Sequence, residues 1–246
     1  EDARDAYGRL TRCLMELGDY DTVISVVQKQ LTRGDLTLFD QLEAHLRRGT
    51  AWVETRDFTR ADTELRGLVE QNEAALRRWQ PGVSPDRERP VEASDPIIGE
   101  AHFQRGRIYH ALFSAIRLVL PKEQLTKDLI EKSDLFEQAQ EAYLEAVRTG
   151  NREWGPAAGF MVGQLYEDFY YDVLAAEVPR GFSELELEVY FEELRKFIRP
   201  AMDKARRIYE LNLAMAQRVG AQGTWVEDTA SAIERIEDYL SHQTGW

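Results

Sequence analysis

Cysteine is almost missing from this chain. Cys13 stands alone in 246 residues, so no disulfide can close within it. A single thiol fits the cytosol, and equally a periplasmic protein that folds without disulfides. With no histidine near it in sequence, Cys13 reads as a small, half-buried packing residue rather than a nucleophile. Positive charge is also scarce: 31 Lys and Arg stand against 44 Asp and Glu, for a net charge of −13. A surface that acidic repels phosphate backbones and anionic lipid, which argues against a nucleic-acid partner. Long apolar runs are missing too. The most apolar stretch, residues 111–120, is interrupted by Arg117. It falls far short of the ~20 residues that cross a bilayer, so no membrane insertion is expected.

The chemical fingerprints are equally sparse. Neither a phosphate-binding Gly-x-x-x-x-Gly-Lys-Ser/Thr nor a dinucleotide Gly-x-Gly-x-x-Gly occurs, and no Gly-x-Ser-x-Gly elbow is present. The four histidines (His45, His102, His110, His242) include no pair at helical ligand spacing, and none follows a glutamate by three residues. The expectation is therefore no metal, no cofactor and no catalysis. The segment Tyr166-Glu167-Asp168-Phe169-Tyr170-Tyr171-Asp172 is the one place where paired carboxylates suggest acid–base work. Helical spacing argues instead for Tyr166, Phe169 and Tyr170 on a packed face, with Glu167, Asp168 and Asp172 turned toward solvent or a groove.

What the chain does have is a recurring pattern. Tyr7-x-x-Leu10 precedes Gly18-Asp19-Tyr20, and Gly49-x-x-Trp52 precedes Asp57-Phe58-x-x-Ala61-x-x-x-Leu65. Gly106-x-x-Tyr109 is followed by Phe136-x-x-Ala139-x-x-x-Tyr143, and Gly163-x-x-Tyr166 by Ala205-x-x-x-Tyr209. A glycine three residues before an aromatic suits a close approach of two helices, and a small alanine opening the second helix lets the pair close. The aromatic four residues on shares that face. Trp52, Trp79, Trp154 and Trp225 read as packing residues, and Trp246 as exposed.

These residues resemble the tetratricopeptide repeat (TPR) consensus, with the second segment the fullest match. The resemblance implies an all-α, TPR-like helical-hairpin solenoid built of two near-standard hairpins, two elongated hairpins and a C-terminal capping helix. The small positions Thr11, Gly49, Gly106 and Gly163 are separated by 38, 57 and 57 residues, against a family period of about 34. One excess lies in the four-proline stretch 79–97, read as an exposed loop. The other lies inside hairpins whose first helices continue through Val119 and Leu174 and stop at Pro121 and Pro179. Ser183-x-x-Glu186 and Thr224-x-x-Glu227 have the form of capping boxes. The first opens a helix to about Val219 that Pro200 should kink or break. The whole reads as one solenoid: hairpins over 1–78, loop 79–97, elongated hairpins 98–222, and cap with tail 223–246. Tyr190-x-x-x-Leu194 through Leu213, with Gly163-x-x-Tyr166, also resembles the C-terminal part of large TPR proteins of myxobacteria and other deltaproteobacteria.

The TPR resemblance implies a protein or peptide partner held on the concave face by the first helices. Carried over, the positions on that face are Gly8, Arg12 and Met15; Leu46, Thr50 and Val53; Phe103, Arg107 and His110; Phe160, Gln164 and Glu167. Arg12 and Arg107 there are expected to pair with acidic groups of the partner. The alternatives are a homo-oligomer, such as a homodimer through the long helices, and a small-molecule or lipid pocket lined by Phe113, Phe169 and Tyr170. The chain opens at Glu1 without methionine or a signal-type segment and reads as a trimmed or mature fragment. The looser resemblance places it in a bacterial envelope or motility assembly, with the periplasm ahead of the cytoplasm.

Overall fold

A computed structural model of the chain describes residues 2–178 and 180–243, with side chains within 5–241. Expectations on Pro179, the His242 side chain and Trp246 lie outside these residues. The described residues are all-helical, without a strand. The helices are α1 (Asp2–Leu17), α2 (Tyr20–Gln30), α3 (Leu38–Glu54), α4 (Phe58–Arg78), α5 (Pro96–Ala115), α6 (Lys122–Arg148), α7 (Trp154–Leu174), α8 (Glu184–Val219) and α9 (Thr224–Gln243). They pack in neighbouring pairs and divide into two compact units. The first holds residues 1–108 and 149–151, the second 109–148 and 152–246.

In the first unit, α1 packs on α2, α2 on α3 and α3 on α4. The two tight turns share one design. Gly18 at φ 72° and Arg56 at φ 61° take left-handed backbone, and the aspartate that follows each caps the next helix. Asp19 accepts from the Thr22 backbone N–H and Asp57 from that of Arg60, each at 3.3 Å. Gly49 lies where α3 meets α4: a Cβ there would fall 2.6 Å from Leu65. Ala61 and Leu65 are fully buried beside it.

The stretch 79–97 is fastened rather than merely exposed. The Asn72 amide donates to the Val91 carbonyl, and the Val91 N–H donates back to Asn72, both at 3.0 Å. Asn151 donates to the Ser94 carbonyl at 2.9 Å. Pro96 is the first residue of α5, where its missing N–H costs nothing, and Asp95 accepts from the Ile97 N–H at 2.9 Å.

In the second unit, α7 packs on α6, α8 and α9, and α9 also packs on α8. Gly163 touches the ring of Tyr209, and Gly159 the side chain of Asn212. Ser183 and Glu186 form the reciprocal capping box at the start of α8, and Gly220 in left-handed conformation ends it. Pro200 is exposed within the helix and does not break it. No residue of α8 before Ile198 is buried.

Three local expectations are corrected. α5 ends at Ala115, not near Pro121. Lys132 of α6 is buried and donates to the carbonyls of Phe113 and Ile116 at 2.7 and 3.1 Å, capping the orphan C=O groups of the last turn. Thr224 is the first helical residue of α9, not its cap; the Gly223 carbonyl accepts from the Glu227 N–H at 3.3 Å. Cys13 is exposed, not half-buried.

Candidate functional site

The twelve positions expected to face a partner divide between the two units. In the first, Gly8 is half-buried and Arg12 projects into solvent near Glu43, at 4.0 Å. Met15 is half-buried, while Leu46, Thr50, Val53 and Phe103 are buried. Arg107 was expected to meet a partner's acid. It donates instead to Glu54 at 2.8 Å and to Gln104 at 2.9 Å.

Met15, Leu46 and Thr50 come together in one place. With Glu43, Arg47, Pro96, Ile97 and Glu100 they line a pocket of about 230 Å³ where α1, α3 and the start of α5 converge. Thr50 is 7% exposed, and its hydroxyl has no hydrogen-bond partner among the described residues. Arg47 is fixed in the wall, donating to Thr11 at 2.8 Å and to Glu43. Burial lowers its pKa, against the opposing charge of Glu43. Nearby, His45 Nδ1 lies 2.7 Å from Glu64, which also accepts from Arg48 at 2.8 Å. Burial would raise the Glu64 pKa, but the His45 hydrogen bond and the charges of His45 and Arg48 overcome it and bring it down. A second pocket, of about 470 Å³, opens between α4 and the 79–97 stretch and is lined by Trp79, Arg78, Arg87 and Glu88 among others.

In the second unit the expected positions are taken up internally. Phe160 packs on Tyr209 and Trp225, with ring centroids 5.5 Å apart in each case, and Gln164 is half-buried. His110 is buried; its Nε2 lies 2.8 Å from Asp168 and its Nδ1 3.3 Å from the Tyr143 hydroxyl. Glu167, expected to face solvent or a groove, is 4% exposed. It accepts from the Tyr209 hydroxyl at 2.6 Å and from Arg235 of α9 at 2.8 and 2.9 Å. Burial, then the charge of Glu167, pushes the Tyr209 pKa far above the ordinary phenol value. Burial pulls the Arg235 pKa down, but the Glu167 hydrogen bond and the charges of Glu167, Tyr209 and Tyr171 together outweigh it and raise it. Asp172 pairs with buried Lys132 at 2.7 Å. So the carboxylates of the Tyr166–Asp172 segment each hold a cation or an imidazole of the same unit. That arrangement ties helices together and leaves no carboxylate poised against another for proton transfer.

The aromatics imagined around a lipid also pack on one another. Phe136 lies between Phe113 and Phe169, both with centroids at 5.9 Å, and Tyr170 donates to or accepts from Tyr239 at 2.8 Å. No group of three or more His, Cys, Asp or Glu placed to hold a metal occurs among the described residues. No described helix is long and apolar enough to cross a membrane. No protein-family description, curated protein or solved structure is matched by the chain.

The glutamate–arginine link and the paired pocket walls could not be read from helical spacing, because each joins residues far apart in sequence. Asn72, which ties down Val91, gave no signal at all.

Proposed function

We propose that the chain is a non-catalytic, TPR-like scaffold that binds a protein or peptide partner through its first unit. The observation that supports this reading is the 230 Å³ pocket. Three of the expected partner-facing residues, Met15, Leu46 and Thr50, line it together. Its walls combine apolar side chains with a buried hydroxyl that has no partner among the described residues, the mixture of grip and orientation that recognition pockets use. Its size suits one side chain of a docked segment rather than a whole ligand. Arg107, expected to contact an acid, is engaged with Glu54, and Arg12 projects into solvent outside the pocket lining, so apolar and hydroxyl contacts carry the recognition.

The test is selection of a random displayed peptide library on the intact protein, repeated on Met15→Glu. Enriched peptides that bind the parent and lose at least tenfold in affinity on the variant, at unchanged melting temperature, support the proposal. No enrichment, or peptides indifferent to Met15→Glu, overturns it.

A further inference from the structure

The second unit carries a groove that the pattern of first helices does not point to. α6 and α8 both pack on α7, and between them a channel of about 370 Å³ remains open. Gln140, Leu144 and Val147 form one wall and recur at i, i+4 and i+7 on α6. The other wall is a single face of α8 that includes Ile208, Leu211 and Met215. Gly159 and Val162 of α7 make the floor. At about 100° per residue, that floor lies on a different side of α7 from Phe160, Gln164 and Glu167. The groove is therefore distinct from the face expected to meet a partner.

Its chemistry is unusual for this chain. The walls and floor contain no Asp or Glu, although the chain has 44 of them. The only charges are Lys204 and Arg218, at opposite ends of the α8 wall. Both are exposed, and neither belongs to an ion pair among the described residues. Neighbouring acids in sequence are paired elsewhere: Asp203 with Arg199, Glu141 and Glu145 with Arg148, and Glu210 with Arg206. Lys204 and Arg218 are 14 residues apart on one helix, which is about 21 Å. Leu211, midway between them, is 61% exposed. A leucine standing that far out of an apolar groove is left largely uncovered by the described residues.

We infer that this groove receives an amphipathic helix of a partner protein: about four turns long, apolar on one stripe and acidic at both ends. The apolar stripe covers Leu144, Val147, Ile208, Leu211 and Met215, as helix-in-groove recognition requires. The terminal acids meet Lys204 and Arg218, which fixes the register and disfavours the cationic helices that a −13 protein would otherwise attract. The inference does not rest on the first-unit pocket.

The probe is a fluorescein-labelled amphipathic helical peptide of about 18 residues with a leucine stripe and a glutamate near each end. Its comparison is the same peptide with lysine in place of both glutamates. Anisotropy titration should show saturable binding of the acidic-ended peptide, about tenfold weaker for the lysine-ended one. Lys204→Glu with Arg218→Glu should reverse that preference. Leu211→Asp should abolish binding of both. All three positions are exposed, so unchanged melting temperatures keep the comparison clean. Equal binding of the two peptides, or no saturable binding, overturns the inference. So does a concentration-dependent rise in mass by light scattering that Leu211→Asp removes, because it assigns the groove to a second copy of this chain. Displacement of a fluorescent fatty acid from the groove, with no peptide bound, overturns it in favour of a lipid.

Discussion

Gly163→Ala should damage the second unit far more than one methyl group suggests. A Cβ at residue 163 would lie 2.4, 2.6 and 2.7 Å from three atoms of the Tyr209 ring. The ring is fully buried and cannot rotate away from three atoms at once. It must shift by about 1 Å to restore ordinary contact, and overpacking of that kind costs about 1–3 kcal/mol. The same shift stretches the 2.6 Å hydrogen bond from Tyr209 to Glu167. Weakening a buried bond to a charged acceptor adds about 1–2 kcal/mol. Alanine's better helix propensity returns about 1 kcal/mol. The net loss is about 1–4 kcal/mol, or about 3–12 °C in melting temperature for a unit of this size. Gly67→Ala is the matched control: it too lies within a helix, α4, and its Cβ would meet nothing within 4 Å. It should stabilise by about 0.5–1 kcal/mol. Calorimetry or circular dichroism reads both, and hydrogen exchange should show α9 amides opening faster in Gly163→Ala, because Glu167 also holds Arg235. Equal melting temperatures for the two variants would refute the reasoning.

Other consequences follow from the same geometry. Arg56→Gly should raise the melting temperature of the first unit, by about 1 kcal/mol in stability, because an L side chain at φ 61° is strained and glycine is not. Asn72→Ala removes both hydrogen bonds to Val91 and should cost about 2–3 kcal/mol; limited proteolysis should then cut between residues 80 and 95 sooner than in the parent. The Tyr209 pKa is raised in the folded state, so its contribution is complete below the unfolded phenol value of 10.0 and is lost as pH rises above it. Alkaline titration should therefore loosen the second unit from about pH 10 upward, and Tyr209→Phe should reduce that dependence, leaving the share of Tyr166 and Tyr171, whose phenol pKa values burial also raises. Glu64 runs the other way. Its folded pKa is below 4.5, so its contribution is present above that value and declines as pH falls through the folded one. Glu64→Gln should flatten the acid limb of the first unit's stability curve.

Much of the local structure was legible. Asp19, Asp57 and Ser183 announce helix starts because capping needs only neighbours in sequence. Gly49, Gly163, Ala61 and Ala205 announce close helix approaches because only small side chains fit there. What stayed hidden depends on pairs distant in sequence. The apolar run past Ala115 suggested more helix, yet Lys132 of α6 takes the carbonyls of that last turn. Glu167 looked like a surface acid until Arg235, 68 residues away, covered it. Arg12 and Arg107 looked available because their acids, Glu43 and Glu54, lie on another helix. At the groove of α6 and α8 the relevant signal was negative, an absence of acids that is visible only once the lining is assembled.

The first stretch of α8 has a kinetic consequence. From Glu184 to Phe197 nothing is buried, and Phe197 is 80% exposed. Leu187, Tyr190, Phe191 and Leu194 are only half-buried, and of these Leu194 packs against the core, so tertiary packing restrains those turns less than the rest of the helix. Their helicity leans mainly on the Ser183–Glu186 box and on exposed pairs such as Lys196 with Glu192 and Glu193, which solvent screens. Amide protons there should exchange by fraying inward from Ser183, orders of magnitude faster than those beyond Ile198, which open only when the core does. One uninterrupted helix thus contains two exchange regimes. The boundary between them falls beside Pro200, where the missing N–H already thins the hydrogen-bond ladder.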